Sequence, residues 1–226
     1  MALPSIFGKL KQWMAGQPAK ALLGVSGASP AAELKLAMPG QAQTNWCWAA
    51  VAHGISTFYG GSTPSQCALV GQVLKIQPGT DCCSNGGTSR CNRQWYLHKA
   101  LETVQCLRDV VQRADGLIPL DDVKNELAAD QPLGIRVEWT RGEAQGGGHF
   151  VAISGWQTGA SGAPYVTVQD PWGPATEVLP VEEFANAYGT DLGKWTHSYF
   201  TVPPHLAAQL GGSAGSVPLT ADLMGG

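Results

Sequence analysis

The hydrophobic pattern of this chain changes period once, and that change limits the folds open to it. From residue 47 to residue 129 apolar side chains recur at helical spacing; from residue 133 onward they alternate or form compact runs. The Ala-rich segment opening at Cys47 continues through Val51, Ile55 and Phe58 and stops at Tyr59-Gly60-Gly61. Thr63-Pro64-Ser65-Gln66 reads as an N-cap and first turn, leading into Ala68, Leu69, Val73 and Leu74. Trp95, Leu97, Leu101 and Val104 predict a helix over 94–106, and 119–129 a further short one. Strands are expected at Leu133–Trp139, His149–Ile153, Tyr165–Val168, Glu177–Leu179 and Tyr199–Val202, with a helical turn at Val181–Ala187. Helices first and strands second predict an α+β domain whose two halves pack face to face.

A chain of 226 residues suits one sizeable domain. Residues 38–205 carry all of the strong periodicity. Residues 1–37 read as an N-terminal extension: a short amphipathic pattern (Ile6, Phe7, Leu10, Trp13 and Met14 among Lys9, Lys11 and Gln12), then an Ala/Gly/Ser/Pro linker. Residues 206–226 revert to Gly, Ala and Ser and are expected to form a flexible tail. The N-terminus lacks the uninterrupted apolar core of a signal peptide, and no apolar run approaches the ~20 residues of a membrane span. Any export is therefore expected without a cleaved signal; otherwise the chain works in the cytoplasm. With 14 Lys and Arg against 17 Asp and Glu, the surface offers no basic footprint for nucleic acid or anionic membranes.

The chemistry concentrates in Gln41-Ala42-Gln43-Thr44-Asn45-Trp46-Cys47-Trp48-Ala49-Ala50. A polar loop delivers one cysteine into the first turn of an apolar helix, where unpaired N–H groups and the positive dipole end favour thiolate, the nucleophilic form. Gln41, six residues earlier, is a candidate side-chain donor to an oxyanion. A cysteine nucleophile needs a base, and the base an orienter. His149 follows Gln145-Gly146-Gly147-Gly148 and starts a core strand, so it sits at a sheet edge. Asp170, in Gln169-Asp170-Pro171-Trp172-Gly173, closes the next strand; a hairpin would bring it beside His149, in a turn that also aims a carboxylate. His53 reads as a satisfied helix residue, His98 beside Lys99 as part of a solvent face, and His197 and His205 lack an acidic partner at suggestive spacing. Asp121-Asp122 suits a helix first turn, and Gly211-Gly212-Ser213-Ala214-Gly215 lacks the strand and helix a serine nucleophile needs.

Four of the six cysteines, Cys67, Cys82, Cys83 and Cys91, are disulfide candidates within 25 residues. Four cysteines allow three pairings; adjacent Cys82 and Cys83 are expected to bond elsewhere, and spacing does not choose further. Free thiols and a zinc site are the alternatives, the latter without the paired CxxC spacing of a zinc ribbon. Neither a metal nor a cofactor is expected. Disulfides imply work in an oxidising place, and Cys106 reads as a buried core thiol.

Gln41, Cys47-Trp48-Ala49, His149 and Asp170, in that order, resemble the papain-like cysteine peptidases. Asn45 to Ala50, Cys82-Cys83, Cys91-Asn92, Gly148-His149-Phe150-Val151 and Asp170-Pro171-Trp172-Gly173 resemble a bacterial branch of them, including injected effectors and the peptidases that remove double-glycine leaders. The resemblance implies a helical left lobe carrying Cys47, an antiparallel right lobe carrying His149 and Asp170, and a cleft between them. Trp46, Trp48, Gly148, Trp156 and Trp172 would line that cleft. It also implies a protein or peptide substrate and, for an effector toxin, an immunity or inhibitor protein. Papain itself has Asn where Asp170 stands. Leu223-Met224-Gly225-Gly226 resembles the end of a double-glycine leader, so cleavage after Gly-Gly is expected; for these residues themselves a plain flexible tail is the leading reading and self-processing the alternative. A peptidoglycan amidase and a transamidase would use the same Cys-His pair; a non-catalytic binding module would leave it without purpose.

Overall fold

The structure is a computed structural model that describes residues 30–77, 81–112, 117–142, 144–209 and 224–225. Its spine is an antiparallel sheet of β3 (Leu107–Gln112), β8 (Gly193–Thr201), β4 (Leu133–Trp139), β5 (Gly148–Thr158), β6 (Pro164–Asp170) and β7 (Ala175–Pro180), in that spatial order. A further strand, β1 (Pro30–Glu33), also pairs with β5. The fold is thus mixed helix and antiparallel sheet.

β5 explains why its sequence reads as an apolar run rather than an alternation. Phe150 and Ala152 pack into a core shared with the helices; Val151 and Ile153 pack into a second core on the opposite face. A strand covered on both sides has no solvent face to mark with polar residues.

The first core is built on α1 (Cys47–Phe58), α2 (Gln66–Val73) and α3 (Leu97–Thr103). α1 is buried almost all round, from Cys47 to Ile55, as an apolar helix without a polar face must be. Ser65 caps α2 through the Ala68 N–H, and α1 stops before Gly60 at φ 71°, both at the expected positions. α3 reaches the sheet at Gly134, where a Cβ would meet Leu97 Cδ2 at 2.9 Å and Tyr199 Cβ at 3.2 Å. The second core receives α4 (Leu120–Ala128) and α5 (Val181–Ala187). α6 (Pro204–Gln209) follows β8.

Several elements differ from the sequence reading. The helix expected over 94–106 begins only at Leu97, because Trp95–Tyr96 form a short strand, β2, paired with β9 (Met224–Gly225). β3 was not foreseen: Leu107-Arg108-Asp109-Val110-Val111-Gln112 mixes charges into an edge strand that stays partly exposed. β1 joins residues 30–33 to the sheet, and Leu34, Leu36 and Met38 are buried beyond it, so the body of the fold takes in residues assigned to the extension. The amphipathic pattern of residues 1–16, most of the following linker and most of the tail, with Gly211 to Gly215, lie outside the described residues. Among the described residues no helix is long and apolar enough to cross a membrane.

Phe150, fully buried and packed edge-on against Tyr199, ties β5 to the helical core. Phe150→Ala should cost about 3–5 kcal/mol, read as a lowered urea midpoint with an unchanged slope.

Candidate active site

The site forms where α1 meets the start of β5. Cys47 is the first residue of α1, and Trp46 at the N-cap supplies no side-chain cap. The opening N–H groups of a helix have no intrahelical partner, so an uncapped end faces whatever lies there with free donors and a positive dipole. Cys47 itself is buried (1 % exposed) and is a free thiol.

Two sets of bonds hold that helix end. Asn92 accepts the Asn45 N–H at its Oδ1 (2.9 Å), takes the Asn45 side-chain amide at its carbonyl (3.1 Å), and donates to Thr44 Oγ1 (2.8 Å). The indoles of Trp46 and Trp48 donate to the carbonyls of Cys91 (2.9 Å) and Arg93 (3.0 Å). The loop supplying these partners is closed by disulfides Cys67–Cys83 and Cys82–Cys91, which choose one of the pairings open to the sequence. On the other side, Gln66 brackets the approach: its Nε2 donates to the Gly40 carbonyl and its Oε1 accepts from the Ala42 N–H. The Gln41 N–H donates to Pro171 O at 2.8 Å, joining this loop to the turn after β6.

β5 and β6 are the expected hairpin partners, with Ala152 opposite Gln169. That register brings His149 Nε2 to 2.7 Å from Asp170 Oδ1. Cys47 lies close enough to the same ring to favour its charged form; with Nε2 committed to Asp170, Nδ1 is the nitrogen left to face the sulfur. Asp170 Oδ1 further accepts the Trp172 N–H (2.7 Å), and Oδ2 accepts the Tyr188 hydroxyl (2.6 Å). The Asp-Pro-Trp-Gly segment is therefore both a turn and the support of a carboxylate.

Burial disfavours charge on both partners. For His149 that push downward is outweighed by the charge and hydrogen bond of Asp170 and by Cys47, and the ring is pushed up to about 10. For Asp170, burial pushes upward, but the His149 charge and the bonds from His149, Tyr188 and Trp172 hold the carboxyl below its usual range. Tyr188, buried against Asp170, keeps its phenol neutral as a donor.

Cys47, His149 and Asp170 thus come together as the sequence led one to expect; other candidates do not. Gln41 spends its amide nitrogen on the carbonyls of Gln43 (2.9 Å) and Thr44 (2.8 Å), so the expected oxyanion donor is turned into its own loop. Its Oε1 is buried without a hydrogen-bond partner among the described residues. Trp46 and Trp48 are fully buried anchors rather than cleft walls. Trp156 lies seven residues along β5 from His149, with the Lys124 ammonium over its ring at 4.8 Å, on the α4 side of the sheet. Gly148 is buried, and a Cβ there would meet the Arg136 guanidinium at 2.8 Å, so the glycine makes room for Arg136. Trp172 alone of the proposed wall residues meets the site, its ring edge-on to His149 at 6.4 Å. His98 is not on a solvent face: it is fully buried, and burial pushes its ring down to about 4.

Two residues escaped the sequence reading. Trp139, at the end of β4, stacks on His149 at 6.0 Å and on Tyr188 at 6.4 Å. Tyr188 follows α5 and completes the Asp170 shell. Neither carries a motif; only the pairing of β4 with β5, Val137 opposite His149, brings Trp139 to the ring. Among the described residues no group of three His, Cys, Asp or Glu side chains is placed to hold a metal ion.

A buried thiol at a helix start, an imidazole and a carboxylate bonded to that ring are the groups that a cysteine-dependent hydrolase requires. The Peptidase_C39-like family model matches residues 35–193, well over half the chain. The chain belongs to that family and is a papain-like cysteine peptidase. Comparison with curated proteins finds no match.

The coupled pair sets a pH dependence. His149, raised, stabilises the fold fully below about 6.5 and loses that contribution as pH rises through about 10. Asp170, lowered, stabilises above the ordinary carboxylate range and loses its contribution as pH falls through its depressed value. The stability gap between wild type and Asp170→Asn should be widest between roughly pH 4 and 6.5, narrowing on both sides, as read from urea midpoints. Replacing Cys82 and Cys91 together by Ser removes the strap on the helix end and should lower peptidase activity about 10–100-fold through misplacement of the sulfur, with far-UV circular dichroism unchanged.

Proposed function

We propose that this peptidase cleaves peptide bonds through a Cys47–His149–Asp170 triad seated between the two lobes of a papain-like fold, and that it favours Gly-Gly ahead of the scissile bond. The observation carrying the triad is the chain of bonds from His149 Nε2 to Asp170 and from Tyr188 and Trp172 to that carboxylate, with Cys47 beside the ring and favouring its charge. The Cys47 thiolate attacks the substrate carbonyl, and the resulting oxyanion meets the uncapped N–H groups of α1. His149 gives its Nδ1 proton to the departing amine, leaving a thioester on Cys47. The ring then takes a proton from water, whose oxygen attacks the thioester carbonyl, and the acid is released with the thiolate restored. Asp170, itself held by Tyr188, keeps Nε2 protonated throughout and stabilises the ring's positive charge whenever Nδ1 also carries a proton. Gln41 joins the oxyanion donors on turning its amide outward, at the expense of its two loop bonds.

The preference for Gly-Gly is supported by β9, where Gly225 of the chain's own Met224-Gly225-Gly226 pairs with Trp95 beside the site. Extended chain can add to β2 in this way, and Trp172 narrows the space next to His149. Glycine is the residue that a narrow groove tolerates on steric grounds. The two disulfides support work in an oxidising compartment, outside the reducing cytoplasm.

Cys47→Ala should abolish cleavage of target proteins in a mass-spectrometric comparison with wild type; cleavage at the wild-type rate would reject the nucleophile. Peptides ending in Gly-Gly before the bond should be cut at least about tenfold faster than Ala-Ala counterparts, and equal rates would remove the specificity.

A further inference from the structure

β9 comes from more than a dozen residues beyond α6, yet it lies against β2 and β5, the strands nearest in sequence to the Arg93 carbonyl that holds Trp48 and to His149. On one side it forms an antiparallel ladder with β2, Gly225 opposite Trp95 and Met224 opposite Tyr96. β2 begins two residues after Arg93, whose carbonyl holds the indole of Trp48, next to Cys47. On the other side β9 packs beside β5, the strand that begins Gly148-His149. A two-residue ladder is too short to be stable alone, so its placement depends on those neighbours. Meanwhile Cys47 is 1 % exposed, leaving almost none of the nucleophile open to an incoming carbonyl.

We infer that the Met224–Gly225 segment is an intramolecular occupant of the substrate groove, holding the site closed in cis, so that an external peptide must displace it before reaching Cys47. The inference rests on the Gly-Gly reading above for the fit of the segment, though not for its presence beside β2 and β5. A segment tethered to its own site is present at an effective concentration in the millimolar range, so even a weak peptide site is filled from within. Competition of this kind raises the apparent KM for external substrate and slows reagents aimed at the sulfur, while leaving the chemical step untouched.

The test uses the full chain and a probe that needs no turnover. Replacing Met224 and Gly225 together by Pro removes both backbone N–H groups from the ladder. The rate of Cys47 carboxamidomethylation by iodoacetamide, followed by mass spectrometry with buried Cys106 as internal reference, should rise about tenfold or more, reflecting loss of the tethered occupant. Adding a synthetic peptide of residues 217–226 to the variant should restore protection. A variant alkylated at the wild-type rate overturns the inference, as does a peptide that fails to protect. A counterpart peptide ending in Ala-Ala that protects equally well supports occupancy in cis and rejects selection for Gly-Gly. Urea midpoints matched to wild type show that faster alkylation is not unfolding; a lowered midpoint accounting for the whole rise overturns the inference.

Discussion

A buried imidazole facing a buried carboxylate is the interaction around which this molecule is arranged. Removing either charge from water is expensive, and the pair is sustained only when the remaining polar atoms are satisfied. Asp170 meets that condition with three donors, the His149 ring, the Trp172 N–H and the Tyr188 hydroxyl. Each donor comes from a different piece of chain: β5, the turn after β6, and the segment after α5. The register of the β5–β6 hairpin, the Asp-Pro turn and the return of the chain through Tyr188 all serve one carboxylate. Trp139 and Trp172 then flank the ring, one stacked and one edge-on, so its plane is held as well as its charge.

The Cys47 end is held by different means. α1 is an apolar Ala-rich helix whose position in the core comes from burial, but packing alone places a helix end only loosely. The Asn45–Asn92 exchange and the two indole bonds to the 91–93 carbonyls add direction, and two disulfides hold the loop that supplies those carbonyls. The bond from Gln41 N–H to Pro171 O then links the cysteine side of the site to the carboxylate side. A site assembled from two layers needs such a crossing contact if sulfur and ring are to stay beside each other.

Legibility of the site in the sequence followed the range of the interactions. Cys47 could be read because a helix start announces itself within a few residues, and Asp170 because a hairpin of ordinary length returns it to His149. Trp139 and Tyr188 could not, since each touches the ring or the carboxylate only through strand pairing and chain return. Trp46 and Trp48 were misread for the opposite reason: nearness in sequence to Cys47 suggested a wall, but successive residues of a buried helix start point into the core, where their indole N–H groups found carbonyls. Trp156 followed the same logic along β5, where seven residues of extended chain carried it to the far side. His98 sits beside Lys99 in sequence, yet the helix turns one residue inward and the other outward. The short strands β1 and β2 had no pattern to read because they exist only through their partners.

By itself the sequence determined the change from helix to strand, both ends of α1, the hairpin that carries His149 and Asp170, and the four cysteines apart from Cys47 and Cys106. These are local matters of period, capping and turn chemistry, decided within a dozen or so residues. The tertiary structure decided which cysteines pair, that Gln41 turns its amide into its own loop, that Tyr188 and Trp139 complete the ring's surroundings, and that Met224–Gly225 lies along β2. Those outcomes depend on contacts between residues far apart in the chain, where pattern carries no information and only packing in three dimensions selects the partner.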